Sequence, residues 1–308
     1  MRLVCALAVL AWATPVVAQD VTSRDVKFYS EGIQCYARLY LPKNFKPDAK
    51  APAVVLAPGW MQTEPSIDKY AARFAARGLV AMAIDYRGWG RSGGYVYLAE
   101  PIRVDDRQRF SQHTAKVRIR RKRLLPVDQV LDIRNAVAYL QGEPGVDPAR
   151  VGIWGTDTAG GHVVVAAATD ARIKVAVAQV PIIEGKDVPR QAAPRSPELH
   201  AAELRLARSA AVPATPTPAG ADAETRLALA DYHPFWFADQ IADTTAVLFV
   251  IAEHDSRVKN DANAIAASKA MKGPTGVTVV SGATHSLGTP GAFETAADAA
   301  AAWFLKYL

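Results

Sequence analysis

The sequence predicts an α/β protein: a doubly wound, mostly parallel sheet with inserted lid segments. Three observations carry this reading. Ala53-Val54-Val55-Leu56-Ala57, Val80 to Ile84 and Ala246 to Ile251 are short unbroken apolar runs, as expected of strands covered on both faces. Stretches with helical spacing lie between such runs, among them Ser66 to Arg77 and Ala262 to Met271. Finally, Gly155-Thr156-Asp157-Thr158-Ala159 puts small residues two before and two after an aspartate, between a β-branched run and an alanine-rich stretch. A strained strand–turn–helix elbow needs those small residues, because the helix passes close to the strand it leaves.

The elements follow in order. Val26 to Ser30 and Cys35 to Leu41 read as a hairpin around Glu31-Gly32. The run at Ala53 is the next strand, and the Ser66 helix stops at Gly78 before the strand Val80 to Ile84. Residues 95–126 break the rhythm and read as an insertion. Val127 to Leu140 resumes as a helix, Arg150 to Trp154 as a strand leading to the elbow, and Ile173 to Gln179 as a further strand. A second insertion occupies 182–237, where a lid belongs, and includes a Pro/Ala-rich loop at Ser209 to Ala221. Strand Ala246 to Ile251, helix Ala262 to Met271, strand Val277 to Val280 and a helix from Phe293 to Tyr307 complete the alternation.

Composition narrows the function. Residues 1–18 have the form of a secretory signal: Arg2, an apolar core from Leu3 to Trp12, and Val16-Val17-Ala18 as a cleavage site before Gln19. The apolar stretch is too short for a stable membrane anchor, so a periplasmic or secreted protein is expected, with residues 19–308 as one folded domain. Cleavage would leave Cys35 as the sole cysteine, which excludes an internal disulfide and thiolate metal clusters. The chain has a formal charge of +6 and carries eight cations between Arg107 and Arg123. That run reads either as contact with an anionic surface or substrate, or as a solvated helical flank of the insertion. No interleaved aromatic platform accompanies it, so nucleic acid is not an expected partner. Dinucleotide and phosphate-loop fingerprints are missing from the sequence, so no cofactor and no metal are expected, and the partner is a small-molecule substrate. Oligomeric state is left open.

Polar residues follow two of the late strands: Glu253-His254-Asp255 after Ala246 to Ile251, and His285 after Val277 to Val280. Ligands bind at such carboxyl ends in open α/β sheets. The chain order is therefore nucleophile, acid, histidine.

On these segments, with Ala57-Pro58-Gly59-Trp60, Asp85 to Ser92 and Ala178-Gln179-Val180-Pro181, the chain resembles α/β-hydrolases of the dienelactone-hydrolase-like and Xaa-Pro-peptidase-like branch. Those families usually have serine where this chain has Asp157. The resemblance implies Asp157 as nucleophile, His285 as base and Asp255 as the acid that orients it, with Glu253 as the fallback acid. It also implies an oxyanion hole made by the backbone N–H groups of Trp60 and Thr158. Reading Thr158 as the nucleophile would place β-branched Thr156 where a glycine is wanted. His162 is expected to pack or cap, and His113, His200, His233 and His254 to be solvated loop residues. Trp60, Trp89 and Trp236 are candidates for pocket or core.

A carboxylate nucleophile changes the chemistry. It needs no deprotonation, and attack on an sp³ carbon gives an ordinary ester that a histidine-activated water can hydrolyse. Related haloalkane dehalogenases and epoxide hydrolases work this way, whereas acyl attack would give a high-energy mixed anhydride. Epoxide, halide and activated ester or lactone substrates all stay open, with Tyr95, Tyr97 and Tyr232 as candidate proton donors from the lid. Two alternatives stand beside this: Asp157 as a base or electrostatic group in an esterase-like fold, or a non-catalytic binding protein that lost its serine.

Overall fold

The computed structural model describes residues 21–103, 105, 107, 109–183, 196–208 and 223–308. The expected signal segment and the Pro/Ala-rich loop lie outside the described residues, the loop's first position, Ser209, included. The chain opens with an antiparallel hairpin, β1 (Thr22–Ser30) and β2 (Ile33–Leu41). β3 (Ala51–Ala57), a 3₁₀ turn (Glu64–Ser66), α1 (Asp68–Ala76) and β4 (Val80–Ile84) follow. The first insertion forms a two-stranded ribbon, β5 (Tyr95–Leu98) and β6 (Val117–Arg120). Next come α2 (Pro126–Gln141), β7 (Val146–Thr156), α3 (Thr158–Thr169) and β8 (Ile173–Gln179). The second insertion holds α4 (Pro197–Arg208) and α5 (Ala223–Ala230) before a 3₁₀ segment (Pro234–Gln240). β9 (Ala246–Ala252), α6 (Ala264–Ala270), β10 (Thr275–Val280) and α7 (Ala292–Tyr307) end the chain.

The main sheet runs β1-β2-β4-β3-β7-β8-β9-β10. Every pairing from β4 to β10 is parallel, and only β1 with β2 and β2 with β4 are antiparallel. From β3 the chain moves outward to β4, then returns to place β7 on the other side of β3. The strand order thus reverses between β3 and β7, and a crevice opens beyond their carboxyl ends. This reversal fixes where a site can form.

The core has two layers, one on each face of the sheet. Ile133 of α2, Val163 of α3 and Ala264 of α6 pack on one face, and Phe74 of α1 and Phe304 of α7 on the other. Trp154 of β7 is fully buried on the second face, with Tyr70 at a ring distance of 4.7 Å and Phe74 at 6.4 Å. Behind β4, Arg87 and Asp132 form a buried ion pair of 2.6 Å, and Arg87 also reaches the Ser30 hydroxyl. Asp132 additionally accepts the Arg87 backbone N–H, so its charge is answered from two directions. Removing one partner of such a pair typically costs about 3–5 kcal/mol. Among the described residues, no helix is long and apolar enough to cross a membrane.

One expectation is corrected. The basic run is not a helical flank: Val117–Arg120 is a strand, paired antiparallel with Tyr95–Leu98. Two of its arginines are also not solvated. Arg120 and Arg123 both pair with Glu224 of α5, which ties one insertion to the other.

Candidate active site

Asp157 sits at the turn between β7 and α3 with φ 58 and ψ −123. That conformation is sparsely populated for any residue with a side chain and costs about 1–3 kcal/mol, which the surroundings must offset. The offset is visible. The Asp157 N–H donates to the Gln179 carbonyl at 3.0 Å, and its own carbonyl accepts from Gly160 and Ile182, both at 3.0 Å. The flanking small residues are required by contact: a Cβ on Gly155 would lie 2.4 Å from the Ala159 carbonyl oxygen. The strained residue is Asp157 and not Thr158, which already occupies the first helical position.

Asp255 lies just beyond β9 and His285 beyond β10. His285 Nδ1 is 2.8 Å from Asp255 Oδ2, while Asp255 Oδ1 accepts the N–H groups of Arg257 at 2.9 Å and Val258 at 3.0 Å. On its other side, His285 Nε2 faces Asp157 Oδ1 at 3.8 Å, an ion-pair contact longer than a hydrogen bond. Both of those atoms are buried, and neither has a hydrogen-bond partner among the described residues. Glu253, the fallback acid, is turned away: it accepts from the Ser281 hydroxyl and the Gly282 N–H, both at 2.7 Å.

Burial alone would lower the His285 pKa. The carboxylates of Asp157 and Asp255 on its two sides outweigh burial and hold it above the ordinary 6.5. The imidazolium is thus favoured while both carboxylates are ionised.

The loop after β3 runs against the elbow. A Cβ on Gly59 would come within 2.9 Å of the Asp157 Cβ, so only glycine fits there, and Trp60 follows it directly. Thr158 N–H belongs to the first turn of α3, where a helix supplies no acceptor. Both backbone positions of the expected oxyanion hole therefore border the Asp157 turn.

A cavity of about 410 Å³ opens over this cluster. Asp157 and His285 line it with Gln62, Tyr70, Gln179 and Arg257, among others. The expected tryptophans do not line it. Trp89 is buried with its indole N–H on the Arg123 carbonyl, Trp60 packs against the core, and Trp236 stacks on His233 at 4.2 Å. The three lid tyrosines are elsewhere too. Tyr95 bonds Asp128, Tyr97 is exposed on the ribbon, and Tyr232 bonds His162 Nδ1 at 2.8 Å. Instead Tyr70 of α1 forms part of the wall. Its hydroxyl accepts from Gln179 Nε2 at 3.0 Å, and burial pushes its pKa up to about 12.

His162 is fully engaged. Gln129 holds Nε2 at 2.8 Å opposite the Tyr232 bond, and burial drives its pKa down to about 3 against the pull of Asp157. It is a neutral packing residue beneath the elbow. The other histidines stay outside the cavity lining; His113 lies beside Ser111 and His200 near Glu203.

The acetyl xylan esterase (AXE1) family profile matches residues 14–188, more than half of the chain. The chain belongs to this family. Over 162 residues it is 32% identical to the quorum-quenching protein AidA of Acinetobacter baumannii, covering 52% of this chain and 44% of that protein. Over 168 residues it is 27% identical to the thiohydrolase aneE of Aspergillus aculeatus, covering 54% of this chain and 44% of that protein. The match spans less than half the length of either relative. Among solved structures, DcsB in complex with its substrate analogue superposes with a TM-score of 0.71 at 20% identity, covering 93% of this chain and 100% of that one. This AXE1 member therefore has the α/β-hydrolase fold and falls in a hydrolase family.

Proposed function

We propose that this AXE1-family protein hydrolyses a small polar substrate through an ester formed on Asp157, using Asp157, His285 and Asp255 as an Asp-His-Asp triad. The observation that carries the reading is the strained elbow. It holds a carboxylate oxygen without a hydrogen-bond partner 3.8 Å from an imidazole that is itself anchored at 2.8 Å to a second carboxylate. A residue kept in a costly backbone conformation and facing a cavity is where chemistry is expected.

Asp157 Oδ attacks the substrate carbon, and the carbon–oxygen or carbon–halogen bond breaks with its electrons on the leaving atom. Water then attacks the Asp157 ester carbon while His285 Nε2 takes its proton, held by Asp255. The Trp60 and Thr158 N–H groups stabilise the resulting oxyanion. Collapse releases the alcohol, which takes the proton back from His285, and the Asp157 carboxyl loses the proton of the added hydroxyl to solvent, so the regenerated carboxylate contains an oxygen from water.

Tyr70 favours an oxygen leaving group over a halide. Its phenol remains protonated well past neutral pH, and its hydroxyl uses a lone pair toward Gln179, leaving the proton available to the cavity. An epoxide or an activated ester or lactone fits this wall. The test is an assay of the purified protein against epoxides, haloalkanes, short esters and lactones. Turnover of an oxygen-leaving substrate is expected, and inertness toward the whole panel would overturn the proposal.

Family membership supports a second reading, in which Asp157 and His285 together activate water for direct attack on an ester carbonyl. The two differ in where the solvent oxygen goes.

The raised His285 pKa gives a pH prediction. The stability of the imidazolium between two carboxylates is fully present below its ordinary 6.5 and is lost as pH rises through the raised value. Ester formation removes the Asp157 charge, and with it part of the cause of the shift. The kcat profile, governed by His285 in the ester intermediate, should therefore break at a lower pH than the NMR titration of His285 in the free enzyme. Coincident breaks would count against an Asp157 ester.

A further inference from the structure

The first insertion has its polarity reversed. Val96 pairs with Ile119 and Leu98 with Val117, so these four side chains share one face of the β5–β6 ribbon. All four are exposed, at 60%, 64%, 49% and 49% in that order. The opposite face docks at one end, where Tyr95 is buried with its hydroxyl on Asp128 and Arg120 reaches Glu224, while its other pair, Tyr97 and Arg118, is exposed. A ribbon adapted to water would turn its apolar residues toward the body. Phe110, in the excursion between the two strands, is 92% exposed.

The insertion that carries this face is strongly cationic. Arg103, Arg109, Lys116, Arg118 and Lys122 belong to the same insertion and form no ion pair among the described residues, whereas Asp105 is already held by Arg107. A second copy of the chain is a poor occupant, because stacking two such faces would bring two like-charged insertions together. A soluble polyanion would satisfy the cations and leave the apolar face wet. An exposed apolar stripe on a cationic insertion is the combination that seats at an anionic bilayer surface, with the stripe at the acyl boundary and the cations among the headgroups.

We infer that the β5–β6 ribbon is a peripheral docking element for an anionic phospholipid surface. The site cluster lies on the same carboxyl-end side of the sheet, since the ribbon is anchored next to the end of β4: Gly88 N–H bonds Gly93, and Lys122 N–H bonds Gly88. Docking would bring the catalytic end of the fold near the membrane.

The test is co-sedimentation of the purified chain with vesicles of phosphatidylcholine alone and of phosphatidylcholine with one third phosphatidylglycerol. Wild type and variants are prepared identically, so any contribution from the amino terminus cancels. Binding to the anionic vesicles only is expected, weakening as salt rises. Val96→Ser with Ile119→Ser should weaken it about tenfold, and Arg103→Gln with Arg109→Gln roughly tenfold. These positions are exposed, so thermal melts should match wild type. No preference for anionic vesicles would overturn the proposal. So would a dimer in sedimentation velocity that disappears with Ile119→Ser, which would assign the face to a second copy.

Discussion

Asp157→Asn is expected to lower kcat/KM by about 10⁴-fold or more while leaving the fold intact. Asparagine keeps the shape of aspartate and can occupy the same positive-φ turn, for which Asn and Asp are better suited than other side chains. What it removes is the charge. A neutral amide oxygen does not displace a leaving group, so the first step has no nucleophile. The same change takes away one of the two carboxylates that hold the His285 pKa up, so the imidazole should titrate lower than in the wild type. A steady-state assay with an NMR titration of His285 checks both effects. Activity within tenfold of wild type would sink the nucleophile assignment, whatever the histidine does.

His285→Gln should separate the two halves of the reaction. Asp157 can still attack, because a carboxylate needs no base, but water is no longer activated. The loss in kcat is expected at about 10²–10⁴-fold, the usual contribution of a general base. The ester should then accumulate on the peptide that spans the elbow, seen by intact mass as a gain equal to the transferred substrate group. If substrate is consumed and the protein mass stays unchanged, no ester forms. Asp255→Asn should give a weaker version of the same result, because Asp255 acts through the orientation of His285 and does not touch substrate.

The fold was legible because its signals are local. Continuous apolar runs such as Val80 to Ile84 can be buried only between two helical layers, and Gly155 and Ala159 disclose the close strand–helix contact from spacing alone. Asp255 and His285 were legible as polar residues just past strand ends, where an open sheet exposes its site. Two things were hidden. Tyr70 has the helical spacing of a core residue, and it is one: it stacks on Trp154 while its hydroxyl end reaches the cavity. Amphipathic spacing reports the ring and says nothing about the oxygen. The ribbon was hidden for a related reason, since Tyr95 to Leu98 and Val117 to Arg120 are separated by a long excursion and only long-range pairing identifies them as partners. Reading the cations there as helical followed from charge density, which carries no periodicity of its own.

If an ester forms on Asp157, its carboxylate must exchange an oxygen with solvent in each turnover. A single turnover in water enriched in oxygen-18, followed by proteolysis and mass spectrometry, reads this directly. A heavy oxygen in the Asp157 side chain and an unlabelled oxygen in the alcohol released in that turnover are expected. A labelled product with an unlabelled Asp157 would contradict it, and would mean that water attacked the substrate without Asp157 ever bonding to it.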